Sequence, residues 1–158
     1  MSGQTRRQFL RGRFGGSASP RPPWAAAELE FLARCTRCDA CIAACPEHIL
    51  VRGSGGFPEV DFARGGCTLC GACVDACKPH ALERTAAAPW ALKAAIDASC
   101  LALNRVVCSA CAERCEARAI RFRSVPGAAP TPAIDPDRCT GCGACVAACP
   151  VSAITVSA

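Results

Sequence analysis

The sequence has few large side chains from which a core could be built. It contains no Tyr, one Met, two Trp and six Phe, and aromatic residues make up 5% of its 158 residues. The length allows one or two small domains. Small domains with a thin core need another source of stability, such as disulfides or bound metal. Sixteen cysteines could supply it, as disulfides, as zinc sites or as iron–sulfur clusters.

The sequence also lacks a long apolar run that could cross a bilayer. Its segment Thr5–Leu10 resembles a twin-arginine export motif. The residues that follow are basic and interrupted by Gly and Pro, whereas a signal peptide needs an apolar stretch and a small-residue cleavage site. We therefore expect a cytoplasmic protein without a membrane span. A reducing compartment argues against disulfides.

One cysteine unit occurs four times along the chain. Units one, two and four share the spacing C-x2-C-x2-C-x3-C, and Pro follows the last cysteine of units one and four directly. Unit two has Lys78 before its Pro79, which we interpret as an insertion. Unit three begins with the spacing C-x7-C and has no such proline. The units are Cys35, Cys38, Cys41 and Cys45; Cys67, Cys70, Cys73 and Cys77; Cys100, Cys108, Cys111 and Cys115; and Cys139, Cys142, Cys145 and Cys149.

This spacing is typical of [4Fe–4S] clusters. Three cysteines on a tight loop bind three irons of one cube, and the fourth reaches a neighbouring cube. Zinc ribbons pair two C-x2-C knuckles and have no use for the third and fourth cysteines of each unit. Gly71 and Gly143 follow the second cysteine, where the backbone has to pass close to inorganic sulfide. The sequence therefore predicts four clusters, or three if unit three is incomplete.

We favour pairing of consecutive units, because strand-turn-strand segments lie between units one and two and between units three and four. The alternative nests unit one with unit four and unit two with unit three. Consecutive pairing predicts four sites, whose names are used below. Site one is Cys35, Cys38, Cys41 and Cys77; site two is Cys45, Cys67, Cys70 and Cys73; site three is Cys100, Cys108, Cys111 and Cys149; site four is Cys115, Cys139, Cys142 and Cys145.

The predicted fold class is α+β, with two tandem bacterial 2[4Fe–4S] ferredoxin-like modules made of short hairpins and short helices. We expect a flexible basic tail at residues 1–27, a first module at 28–85 and a second module at 86–158. Short strands are predicted at 49–51, 59–62, 119–122 and 133–135, and helices at 24–34 and 86–96.

The charge is unevenly distributed. Residues 1–27 contain five Arg and no acidic residue, which accounts for the formal net charge of +5, and the remainder is balanced. Four clusters with their thiolates would add roughly two negative charges each, which makes nucleic acid an unsuitable partner. No catalytic set stands out, so the sequence predicts no enzyme. His48 and His80 are interpreted as surface side chains, and Trp24 and Trp90 as packing anchors for helices.

Several segments resemble the NapF family, the ferredoxin-type accessory proteins of the periplasmic nitrate reductase system. They are the arginine-rich start, 21–24, 31–41, 55–58, 98–102 and 149–155, and the resemblance as a whole extends along almost the whole chain. The C-x7-C spacing is part of that family's pattern, which supports Cys100 as a ligand. The resemblance implies a cytoplasmic protein that contacts the catalytic subunit, NapA, before export and helps it to mature.

Two other functions remain open. The protein could be a plain electron-transfer ferredoxin that serves a reductase and receives electrons from a redox donor. It could also be a sensor in which cluster loss under oxygen changes partner binding. The basic tail favours the maturation role, although a solvated terminus explains the tail equally well.

Overall fold

The computed structural model of the chain describes residues 20–86, 88–125 and 127–158. These residues form two modules of mixed helix and strand, which confirms the predicted mixed architecture. The helices are α1 (Glu28–Arg34), α2 (Ala40–Ala43), α3 (Ala72–Asp75), α4 (Ala110–Glu113) and α5 (Ala144–Ala148). The strands are β1 (Leu50–Arg52), β2 (Pro58–Val60), β3 (Lys93–Ile96), β4 (Ile120–Val125), β5 (Ala128–Ile134) and β6 (Ile154–Ser157).

Each module places a hairpin between its two cysteine units. β1 pairs antiparallel with β2, and β4 pairs antiparallel with β5. In both hairpins the first strand follows the fourth cysteine of one unit, and the second strand precedes the first cysteine of the next. The four strands predicted from the sequence are thus confirmed, with ends shifted by a few residues, and the hairpins hold consecutive units together.

A second pairing closes each module on its other side. β3, which precedes unit three, pairs antiparallel with β6, which follows unit four. In the first module the corresponding contact is a single antiparallel bridge between Ala25 and Leu82. Both modules therefore join the segment before their first unit to the segment after their second.

The helix predicted at residues 86–96 is wrong. Its alanines favour a helix locally, but Lys93–Ile96 form β3, whose residues alternate between exposed and half-buried. β6 presents a row of backbone donors and acceptors that β3 satisfies, and this tertiary pairing overrides the helix propensity of the alanines. The helix predicted at 24–34 is confirmed from Glu28 onward.

The predicted basic tail, residues 1–27, lies only partly among the described residues. Residues 1–19, with the twin-arginine-like segment, lie outside the described residues, but residues 20–27 pack on the first module. Pro22 is almost fully buried, and the Val60 amide donates to the Pro20 carbonyl at 2.8 Å. Arg21 pairs with Glu28 at 2.7 Å, lies 3.7 Å from the buried Glu59, and stacks over the ring of Phe31 at 5.1 Å.

The module boundary at residue 86 stays a prediction. Residues after it pack on the first module before the chain reaches β3. Leu92 belongs to the first module's core, and the Trp90 ring contacts the Phe62 ring edge-on at a centroid distance of 5.8 Å. The Trp90 indole donates to the carbonyl of Thr140 at 2.9 Å, so Trp90 anchors the two modules to each other and not a helix.

The cores are small and built around cysteines. The first contains Phe31, Ile49 and Leu82 together with Cys41, Cys45 and Cys73. The second contains Ile120 and Ile154 with Cys111 and Cys145. In the part of the chain that the structure describes, no helix is long and apolar enough to span a bilayer.

Candidate metal centres

The cysteine loops of units one, two and four share one backbone geometry. The residues before and after the second cysteine both have positive φ, and they are Arg37 and Asp39, Leu69 and Gly71, and Gly141 and Gly143. Two left-handed residues around one cysteine curl the loop back on itself. The third cysteine then lies in the first turn of a short helix, α2, α3 or α5. The loop therefore turns three thiols toward one cavity.

Unit three reaches the same result by another path. Ser109, after Cys108, has a φ of −127°, so this loop lacks the left-handed residue at that position. The seven residues between Cys100 and Cys108 fold into a turn instead. The Asn104 side chain donates to the carbonyls of Ala98 and Cys100 at 2.8 and 2.9 Å, and Ala102 is buried. This turn places Cys100 next to Cys108 and Cys111.

The turn after the fourth cysteine is the same in all four units. The third residue after it has a φ of 49–54° and donates its amide to the cysteine carbonyl. These residues are His48, His80, Arg118 and Ser152. The two histidines are thus turn residues, and His80 is 73% exposed. Because the turn has the same length in unit two, Lys78 is not an insertion. It stands where units one and four have proline.

Three of the four predicted sites each line one cavity. Cys35, Cys38, Cys41 and Cys77 line the first, and Cys45, Cys67, Cys70 and Cys73 line the second. Cys100, Cys108, Cys111 and Cys149 line the third. Their empty volumes are about 320, 350 and 320 Å³. Each cavity is surrounded by three cysteines of one unit and the fourth cysteine of the consecutive unit, so the nested pairing is wrong.

The cysteines of site four are gathered in the same way. Cys139 and Cys142 lie close enough to Cys145 to disfavour its thiolate. Cys115 packs against the same apolar cluster as Cys145. Amides also donate to the fourth-position sulfurs, from Ala119 to Cys115 Sγ at 3.3 Å and from Ala153 to Cys149 Sγ at 3.2 Å. Such donors stabilise charge on a ligating sulfur.

The buried cysteines need a cation to become thiolates. Burial raises the pKa of Cys41 and Cys67 to about 11, and that of Cys73 and Cys145 to about 12. Neighbouring thiols add to the effect, since Cys35 and Cys77 disfavour a charge on Cys41. By contrast, amide hydrogen bonds lower the pKa of the exposed Cys38. A cationic iron core between four such sulfurs would offset their desolvation, so the residues fit a cluster.

The donor geometry does not fit the other two kinds of cysteine site. All sixteen cysteines lie among the described residues, and none forms a disulfide. Within residues 20–86, 88–125 and 127–158, no group of three or more His, Cys, Asp or Glu side chains is arranged to hold a metal ion. Thiols that surround a cavity but do not converge on one point match a cube better than a tetrahedral zinc.

Sequence reasoning missed the contact between units two and four. The Cys67 amide donates to the Cys142 carbonyl at 2.8 Å, and Cys142 is among the thiols that disfavour a charge on Cys67. Sites two and four are therefore neighbours across the module boundary. The one sequence signal for this contact is the pair Gly65-Gly66 before Cys67, because glycine permits close backbone approach.

Comparisons with known proteins agree with this geometry. The family of 4Fe–4S dicluster domains matches residues 34–84 and 104–153. The ferredoxin-type protein NapF of Haemophilus influenzae is 47% identical over 163 residues, which covers 96% of this chain and 93% of that protein. The ferredoxin-type protein NapF of Escherichia coli K12 is 44% identical over 152 residues, with the same coverage. An uncharacterized Haemophilus influenzae protein is 36% identical over 159 residues.

Proposed function

The chain belongs to the NapF family of ferredoxin-type proteins, and on this premise we propose that it is a cytoplasmic carrier of four [4Fe–4S] clusters that assists maturation of the periplasmic nitrate reductase. Its partner in this role is the catalytic subunit, NapA, before export. Each cluster would supply one-electron chemistry when bound. The protein itself acts as a partner of the reductase and not as an enzyme.

The observation that supports four clusters is the composition of the cavities. Each of the three cavities described above is lined by four cysteines, in a three-plus-one pattern from two consecutive units. The structural repeat extends this pattern to site four. All sixteen cysteines then have a ligand role, and none is left over.

The number of clusters is tested by anaerobic purification with iron and sulfide analysis. Four clusters require about sixteen irons and about sixteen sulfides per chain, and about twelve of each would mean that one site is incomplete. Electron spin resonance of the reduced protein then identifies the cluster type. A colourless anaerobic preparation that contains zinc and no iron would contradict the proposal.

The charge of the first residues supports the maturation role, whereas the relatives' shared name, ferredoxin-type protein NapF, supports the family alone. Arg6, Arg7, Arg11 and Arg13 precede the packed segment and have no acidic neighbour in the sequence. Once the clusters are bound, the remainder of the protein has a net negative charge, whereas these four arginines form a basic cluster in the sequence. We propose that they contribute to NapA binding.

The contact is tested by co-purification with unexported NapA from cells that lack the export machinery. Deletion should stop at residue 19, because residues 20–27 pack on the first module. We expect deletion of residues 1–19 to abolish co-purification. Replacement of the four arginines by Gln should weaken it, and replacement by Lys should preserve most of it. Full co-purification of the deletion variant, with iron content unchanged, would exclude the tail as the contact.

A second candidate is direct electron transfer to a reductase. The contact between sites two and four favours it, because that contact connects the two modules. A ferredoxin of this kind should titrate reversibly with one electron per cluster and turn over rapidly with the reductase. A maturation factor binds NapA without rapid turnover. Stopped-flow oxidation of the reduced protein by NapA separates these functions.

A further inference from the structure

The two modules meet along one face of unit four. Residues 140–146 of the second module lie against residues 62–67 of the first, and we name this contact the junction. At its centre the Cys67 amide donates to the Cys142 carbonyl at 2.8 Å. Cys67 belongs to site two and Cys142 to site four. The junction therefore joins the backbones that hold one ligand of each of these sites.

Glycines make the junction tight. A Cβ at Gly66 would lie 2.6 Å from the Cβ of Ala144 and 2.8 Å from its Cα. A Cβ at Gly143 would lie 2.0 Å from the Phe62 ring, and one at Gly141 would lie 2.4 Å from the Leu92 carbonyl oxygen. Real Cβ atoms do not approach other atoms so closely. Three glycines thus let the modules approach to a distance that side chains would prevent.

A crevice beside the junction confirms that the two sites share a wall. Its empty volume is about 930 Å³, and both Cys67 and Cys142 line it, together with Glu47, Thr68, Glu116 and Thr140. Within each module, the two sites are also adjacent. Helices α2 and α3, which carry Cys41 of site one and Cys73 of site two, contact each other, and so do α4 and α5, which carry Cys111 of site three and Cys145 of site four.

We infer that the four sites form one line in the order one, two, four, three, and that the junction at Cys67 and Cys142 is where an electron passes between modules. This inference rests on the proposed function, since it requires clusters at the sites. The order differs from the order along the sequence. Sites one and three are the two ends of the line, and sites two and four are interior.

The transfer across the junction moves one electron and makes or breaks no bond. With clusters bound, Cys67 would hold the donor at site two and Cys142 the acceptor at site four, or the reverse, so that one cluster would be oxidised as the other is reduced. A one-electron donor at one end of the line and a one-electron acceptor at the other supply the balance. The backbone from Cys67 to Cys142 is a connected path of covalent bonds and one hydrogen bond between the two sites.

The test compares two Gly→Ala variants of the full-length protein, purified anaerobically with their clusters. Gly66→Ala places a methyl group against Ala144 and forces the modules apart. Gly127→Ala is the control, because a Cβ there has nothing within 4 Å, and the strain from its φ of 75° falls in the turn between β4 and β5, outside the junction. Both proteins are reduced at low potential, and spin–spin interaction is measured by electron spin resonance, alongside iron and sulfide content.

We expect wild type and Gly127→Ala to show the same interaction spectrum, and Gly66→Ala to lose the interaction between modules while that within each module persists. A Gly66→Ala spectrum identical to wild type, at equal iron content, would overturn the inference and leave the four-cluster proposal intact. A wild-type protein without iron would instead refute the four-cluster proposal.

Loss of iron in Gly66→Ala would also decide the question. The inference then requires sites two and four to empty first, because the substitution lies at their shared wall. The clusters that remain at sites one and three would then be isolated, and their spins would show no interaction with each other. If the remaining spins still interact in pairs, the line is wrong.

Discussion

Gly71 and Gly143 occupy the same position in units two and four but have different neighbours. Both follow the second cysteine, with φ of 81° and 77°. Asp39 occupies this position in unit one with a φ of 61°, so a side chain is compatible with the loop itself. We predict that Asn, which tolerates the left-handed region, is accepted at Gly71 and is destabilising at Gly143.

The magnitude follows from what each new side chain meets. At Gly143 it overlaps the Phe62 ring, which is 8% exposed and held against Trp90, so overpacking costs about 1–3 kcal/mol. At Gly71 it meets the Arg84 guanidinium, whose side chain is 51% exposed and can rotate away. The cost there is one hydrogen bond to the Cys70 carbonyl, about 0.5–1 kcal/mol.

The assay is anaerobic thermal unfolding, followed by the visible absorbance of the clusters. The mid-range costs differ by about 1.25 kcal/mol. With about 2–4 °C per kcal/mol for a chain of this size, we expect Gly143→Asn to unfold about 3–5 °C below Gly71→Asn. Equal midpoints would mean that Phe62 moves without cost, and would refute the tight junction. A lower midpoint for Gly71→Asn would show that Arg84 matters more than the module contact.

Three further predictions concern single features of the sites and the first module. Cys100→Ser should lower the iron content from about sixteen to about twelve per chain, and an unchanged count would exclude Cys100 as a ligand. Arg21→Ala should lower the stability of the first module by about 1–3 kcal/mol, because it leaves the buried Glu59 without its cation, and Arg21→Lys should recover part of this in the same thermal assay. The raised pKa values predict that the buried cysteines are thiols near neutral pH and release protons on binding iron, so cluster assembly into the apo-protein should become more favourable from about pH 7 to about pH 9. The cysteines with raised pKa values are Cys41, Cys67, Cys73 and Cys145. A pH-stat measures the proton release, and cluster assembly that is independent of pH would contradict the prediction.

The loops of the cysteine units and the hairpins could be predicted from the sequence, because both depend on residues that are close in sequence. The spacing of a unit sets how its loop curls, and short apolar strands between turn residues identify β1 and β2. In the irregular unit three, Cys100 still lies beside Cys108 and Cys111, because hydrogen bonds from the Asn104 side chain close the longer turn locally.

The sequence could not predict features that depend on distant partners. Ala86–Ile96 has the composition of a helix, and only β6, about sixty residues later, makes part of it a strand. Trp90 and Leu92 follow the predicted boundary yet pack on the first module, because Phe62 and Gly141 lie there to receive them. The packing of residues 20–27 likewise depends on Glu59 and Phe31, to which Arg21 binds.

The exchange of fourth cysteines has a consequence for synthesis on the ribosome. Cys77 completes site one and Cys73 is the last ligand of site two, so site two cannot fill until translation has passed residue 73, and site one not until it has passed residue 77. The second module waits longer, because β3 remains unpaired until β6 at residues 154–157 has emerged. We expect the first module to acquire its metal while the second is still being made, which would leave the nascent chain half-loaded and exposed to oxygen at residues 100–149.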